Sequence, residues 1–261
     1  MDFSSLAIEH IIGVGLILAL LAWNALTEKS GKAAIRDPAR PDARLRIYNQ
    51  ALISLWLLAT ACAALWLRSG ATLPELGLRP GAGWRTLLSW AVVGAIGTYM
   101  VASLVEARFS RTARIKLREQ LRRSGDYSLI HPETQREHGR FIWLAITAGI
   151  TEEVLFRGFL IGVLALIMPL WLAAILAAAI FILGHAYQGL QGMVGLLPIT
   201  AILTLVYVVG DSLWPAIALH IIVDVAAGLL FRISDHFASA DAEAGIEAAS
   251  ETRCTGPDAV A

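Results

Sequence analysis

Glu152, Glu153, Arg157, His185, His220 and Asp224 are the residues of this chain best placed to do chemistry, because each interrupts or closes an apolar run. Two adjacent carboxylates and a guanidinium sit in a stretch that is otherwise apolar from Phe141 to Leu170. An ionised side chain near the centre of a bilayer costs ~2.5–3.5 kcal/mol even on the lenient insertion scale, so this trio needs partners inside the protein. Helical spacing supplies one pairing. Glu153 and Arg157 are four residues apart and share a face. Glu152 lies about 140° round the helix from Arg157, at about 100° per residue, and faces elsewhere. One glutamate is tied to the arginine; the other is free for chemistry.

The later polar positions are as sparse. His185 ends the run Phe181-Ile182-Leu183-Gly184-His185, and His220 and Asp224 lie one turn apart on a single helical face. Neutral imidazoles with carboxylates can ligate zinc and activate water, in which case Glu152, His185, His220 and Asp224 would be the ligands. A buried glutamate oriented by a histidine can instead act as general base on water, and then no cofactor is required. Both chemistries are hydrolysis. The plainer alternative, polar residues gluing helices together, has to bear several burials that are each separately expensive.

The elements that must position these residues are membrane helices. The chain is 57% hydrophobic and 16% charged, with a mean hydropathy of +0.64, against about 25% charged residues in soluble domains. The expected fold is all-α, a polytopic bundle of seven or eight transmembrane helices in a lipid bilayer, with no nucleic-acid partner. Seven runs approach the ~20 residues that cross the hydrocarbon: 6–27, 48–67, 85–106, 140–165, 169–186, 192–209 and 212–232. The first is expected to be a retained span, since Met1 to His10 has no Lys or Arg. Trp66, Trp84, Trp143, Trp171 and Trp214 fall near run ends, where interfacial aromatics sit. Basic residues crowd the segments 28–47 and 107–140 and are scarce in the later connections, which puts those two segments on the cytoplasmic side. By depth, Glu152 and His220 come out at matching levels, whereas His185 falls much closer to the cytoplasm. The fifth span must therefore tilt, kink or start late.

Other segments have simpler readings. Arg111 to Arg123 is a basic amphipathic helix, expected to be solvated and to lean on headgroups. Ser212 and Pro215 mark the start of the last span. Gly158 and Gly162, then Gly189, Gly192 and Gly195, are spaced for close helix packing. Residues 1–138 are expected to form N-terminal helices with basic loops, 139–232 the helical core that carries the polar residues above, and 233–261 a disordered tail. Cys62 and Cys254 have no metal or redox spacing and are not expected to pair.

Glu152-Glu153-x-x-x-Arg157, then Phe181-x-x-x-His185, then His220-x-x-x-Asp224, in this order over roughly 139–232, resemble the three motifs of the CPBP family. That family holds the type II CAAX prenyl endopeptidases and bacteriocin-processing or self-immunity proteins. Glu75-Leu76-Gly77-Leu78-Arg79 resembles its pre-domain connector. The resemblance implies an intramembrane endopeptidase of membrane-embedded peptides or proteins, open to the cytoplasm. Glu152 would be the general base, His185 its helper in activating water, and His220 with Asp224 the stabilisers of the oxyanion. Glu153, Arg157 and Phe181 would support them. The prenyl endopeptidases usually carry asparagine where Asp224 stands, and an ionised aspartate accepts hydrogen bonds but donates none. The composition suggests a bacterial plasma membrane, where prenylated substrates are not expected. A non-catalytic immunity or assembly factor of the same fold is the alternative.

Overall fold

The computed structural model describes residues 6–123, 125–127 and 129–243, and these form helices with no strand among them. The elements are α1 (Ile8–Arg36), α2 (Ala43–Arg68), α3 (Gly83–Phe109), α4 (Arg111–Arg123), α5 (Gln135–Glu152), a π-helical segment (Glu153–Leu160), α6 (Ile161–Ala165), α7 (Leu170–Gly184), a 3₁₀ turn (Ala186–Gln188), α8 (Gly189–Gly210) and α9 (Leu213–His236). Five helices are long and apolar enough to cross a membrane: α1, α2, α3, α8 with the 3₁₀ turn before it, and α9. The other two expected spans differ in kind. The fourth is a continuous helical run from Gln135 to Ala165 whose geometry changes at the charged stretch, and the fifth, α7, has only 15 residues. At 1.5 Å per residue α7 covers about 22 Å, short of the ~30 Å hydrocarbon core. It ends at Gly184, so His185 stands just past the helix, ahead of the 3₁₀ turn.

The helices fold round the motif run. α9 packs against α3, α5, α8 and the π segment; α2 lies between α1 and α5; α7 covers the π segment and α6. The largest core gathers there, with Leu155, Phe156, Phe159, Leu160 and Ile161 against Ile17, Cys62, Trp66, Ala173, Ala177, Phe181, Leu213 and Ile217. Trp23, Leu26, Leu57, Leu87, Tyr99 and Val101 point outward. Such a large exposed apolar surface is what a lipid-facing exterior requires. Trp84, Trp143, Trp171 and Trp214 are exposed, whereas Trp66, two residues from the end of α2, faces the core: it is buried edge-on to Phe159 at 6.0 Å, and its Nε1 donates to the Thr72 carbonyl.

Two helix starts set the register. Thr134 caps α5, accepting from the Glu137 amide, while Glu137 Oε2 accepts from the Thr134 amide at 2.9 Å. This capping box starts the helix five residues before the expected span, and buried Arg44 on α2 binds Glu137 at 3.1 Å and Glu133 at 2.8 Å. Ser212 caps α9 by accepting from the Trp214 amide, and its hydroxyl donates to the Arg79 carbonyl, so the connector 75–79 is fastened to the start of α9.

Several expectations change. α4 occupies Arg111–Arg123 as read, yet Arg111, Arg114 and Arg118 turn toward the C-terminal chain while Arg122 and Arg123 stay exposed. Arg114 is buried with both Asp241 carboxylate oxygens, and Arg118 reaches Asp241 and Ser234. Ordered helix therefore passes the boundary drawn at 232: α9 runs to His236 and Asp241 is buried, while 244–261, with Cys254, lie outside the described residues. Gly158 does pack closely, because a Cβ there would meet the Leu76 carbonyl at 2.7 Å, but the neighbour is the connector rather than a helix. Gly189 and Gly195 face open space, so that glycine series is not a packing seam.

Candidate active site

The motif run changes from α to π geometry between the two glutamates: α5 ends at Glu152 and the wider helix begins at Glu153. The Ile161 amide donates to the Phe156 carbonyl five residues back, the bond that defines this form. Such segments are rare and frequent at functional sites. The switch still leaves the Glu153–Arg157 pair intact. Arg157 Nη1 donates to Glu153 Oε1 at 2.8 Å, with both side chains fully buried. The guanidinium also lies over the Phe181 ring at 4.5 Å, which offsets its burial further. Glu153 Oε2 and Arg157 Nη2 have no partner among the described residues.

Close approach of two helices brings the third motif in. A Cβ at Gly149 would meet the backbone nitrogen of Ile221 at 2.9 Å, so only glycine lets α5 and α9 touch one turn before Glu152. His220 thereby reaches Glu153 Oε1 with Nδ1 at 2.7 Å. A carboxylate paired with an arginine accepts, so Nδ1 is the donor. His220 Nε2 points the other way, 3.9 Å from Glu152 Oε2 and 3.5 Å from Asp224 Oδ2.

The second motif closes the other side. His185 follows the last residue of α7, and its Nδ1 lies 2.9 Å from the Phe181 carbonyl. A carbonyl can only accept, so Nδ1 carries the hydrogen and neutral His185 keeps Nε2 as an acceptor. Phe181 is buried with its ring edge-on to Phe156 at 5.1 Å and to His220 at 6.2 Å. One aromatic side chain thus touches the cation, both histidines and the motif helix.

Glu152, His185, His220 and Asp224 all line one cavity of about 1320 Å³. Its wall is mostly apolar, from Ile17, Leu20 and Leu21 on α1 through Leu55 and Leu58 on α2, and it includes Arg40, Arg46 and Tyr127 from the basic segments. Of the expected site residues, the cavity receives these four and Phe181, while Glu153 and Arg157 stand behind it. The Glu153 carboxylate binds Arg157 and His220. Among the described residues no group of three His, Cys, Asp or Glu side chains is arranged as a metal site, and His185 Nδ1 and His220 Nδ1 bind the Phe181 carbonyl and Glu153.

Residues 135–226 match the model of the family described as Type II CAAX prenyl endopeptidase Rce1-like, from the first residue of α5 into α9 and across all three motifs. Over those residues the chain is similar to that family. Searches of the curated proteins and of the solved structures give no match. The apolar helices and the match together support a multi-pass membrane protein whose residues 135–226 are similar to a protease family. Within the prenyl-endopeptidase-like region, the sequence reading passed over Gly149, whose single hydrogen sets the α5–α9 distance, and Tyr187, which lines the cavity two residues after His185. Nothing in their types or spacing marks either one; only the packing does.

Proposed function

We propose that the chain is an intramembrane endopeptidase that hydrolyses peptide bonds of membrane-embedded peptides or proteins with a water activated by Glu152. The observation that supports this most directly is the division between adjacent carboxylates. Glu152 lines the cavity with both histidines, while Glu153 is locked behind it between Arg157 and His220. A free carboxylate beside an imidazole acceptor is what a general base for water needs.

In the proposed step a water held between Glu152 and His185 Nε2 gives its proton to Glu152. Its oxygen bonds to the scissile carbonyl carbon, and the carbonyl π pair moves onto oxygen. His220, as an imidazolium among Glu153, Glu152 and Asp224, donates Nδ1–H to Glu153 and Nε2–H to that oxyanion. The intermediate then collapses: the carbonyl reforms, the C–N bond breaks, and Glu152 returns the proton to the leaving nitrogen. The products are a carboxylic acid and an amine. Arg157 keeps Glu153 ionised, and thereby keeps His220 oriented.

The run Gln135–Ala165 and the short α7 complete seven spans with the other five. The basic segments then lie on the cytoplasmic side of a plasma membrane, and the cavity opens toward them. Purified protein and its Glu152→Ala variant, each reconstituted with a membrane-protein library, test the reading. New N-termini should arise with the wild type alone; equal fragments from both would refute it.

A further inference from the structure

Asp224 faces His220 from one turn away, and while ionised it can donate nothing to an oxyanion. The cavity holds another donor. Tyr187 lines it together with Glu152, His185, His220 and Asp224, and its ring centroid lies 5.8 Å from that of His185. Both Glu152 and Asp224 are near enough for their charges to act on the phenol. Gln188 Nε2 donates to the phenolic oxygen at 3.1 Å, which leaves the O–H hydrogen free for another acceptor, and among the described residues it has none. The backbone that carries the phenol is fixed from outside the motifs. Lys32 Nζ on α1 donates to the Tyr187 carbonyl at 2.9 Å, and the Asp126 amide donates to the Gln188 carbonyl at 2.9 Å. Lys32 itself is held between Glu28 at 2.6 Å and Asp126 at 2.9 Å. A hydroxyl held this way before substrate arrives needs no reorganisation when charge develops, which is what makes such donors effective.

We propose that Tyr187 is a further catalytic residue, whose hydroxyl hydrogen-bonds the oxyanion of the tetrahedral intermediate and supplies the donor that Asp224 lacks. The phenol keeps its proton throughout, so no atom is transferred. The inference rests on the endopeptidase reading, and the peptide cleaved fastest in the library experiment is the probe.

Tyr187→Phe keeps the ring and should lower kcat about 10²-fold, the usual cost of one oxyanion donor, with KM changed less than about threefold. The same substitution made in Asp224→Asn should cost about tenfold or less, because asparagine always offers N–H and the two donors then share the task. Thermal scans should place all variants within a few degrees of their parents, since the phenol's one hydrogen bond is to Gln188. Gln188→Leu, which frees the phenol without removing it, should lower kcat less than Tyr187→Phe and guards against a folding artefact. A kcat within threefold of the parent after Tyr187→Phe overturns the inference. So does a loss confined to KM, or the same fold-loss in both backgrounds. Absence of any Glu152-dependent cleavage by the wild type overturns the endopeptidase reading itself, and this inference with it.

Discussion

Replacing Glu153 by glutamine removes one charge and almost no volume, so it isolates the electrostatics behind the site. The carboxylate accepts from Arg157 at 2.8 Å and from His220 at 2.7 Å, with side-chain exposures of 0% for Glu153 and 1% for Arg157. Breaking a buried pair from one side costs ~3–5 kcal/mol, because the remaining charge is left uncompensated. Glutamine keeps one carbonyl acceptor, and Arg157 keeps its Phe181 face, which places the expected loss near 3 kcal/mol. For a chain of this size each kcal/mol moves Tm by about 2–4 °C, giving a fall of about 6–12 °C. Glu152→Gln should behave otherwise. That side chain is 16% exposed and its histidine contact is a loose 3.9 Å, so the stability change should stay below about 1 kcal/mol. Far-ultraviolet circular dichroism during heating of detergent-solubilised protein measures the stability. Cleavage of a library peptide measures the activity, which both variants should lose. Double replacement by Glu153→Leu with Arg157→Met should regain stability, since a well-packed apolar pair matches a buried ionic one, yet not activity, because His220 would lose its Nδ1 acceptor. Equal Tm shifts for Glu152→Gln and Glu153→Gln would refute the division of roles.

Three further expectations rest on the same geometry. Asp224→Asn should retain Glu152-dependent cleavage, because asparagine always offers an N–H; stoichiometric metal in the wild type that vanishes in the variant together with activity would show a metal site instead. A cysteine introduced in 107–140, in a background lacking Cys62 and Cys254, should react with impermeant thiol reagents in inside-out vesicles only, and labelling of intact cells would reverse the proposed orientation. Hydrogen bonds from Arg114 and then Arg118 hold the Asp241 carboxyl down to about 2, below the ~3.9 of an unfolded aspartate. That clamp is fully present above pH ~4 and is lost as pH falls through ~2. Asp241→Asn should reproduce the loss at neutral pH by raising tryptic cleavage within Arg111–Arg123 severalfold, and an unchanged cleavage rate would count against the clamp.

Much of the membrane architecture is legible because its signals are local. Apolar length marks α1, α2, α3 and α9 directly, Ser212 announces the start of α9, and spacing four puts Glu153 on Arg157 and His220 beside Asp224. What escapes the sequence depends on packing between distant segments. Helical spacing separates Glu152 from Glu153 but cannot say that Glu153 reaches across to His220, since that contact arises from the close approach at Gly149. The basic face of α4 reads as solvated until Asp241, 127 residues after Arg114, is brought against it. The fifth run reads as 169–186 and the helix occupies Leu170–Gly184, because composition does not report the change to 3₁₀ geometry at Ala186. Thr134 and Glu137 form a capping box that the sequence spells out, and weighting hydrophobicity alone draws the span start too late.

The π segment has a consequence for the kinds of change the chain can tolerate. A π turn holds one residue more than the α turn it replaces, so it amounts to an insertion stored inside an otherwise regular helix. By widening to hold that residue, the segment lets the helices on either side keep the facing they would have without it. Upstream lies Gly149, packed on Ile221 of α9; downstream lie Phe159 and Gly162, packed on Trp66. Loss of a single residue between Glu153 and Leu160 would let the bonds relax to the ordinary register with both flanks still facing their partners. A change of length here would therefore be felt in the spacing of the charged side chains themselves rather than in the packing of the helices beyond them.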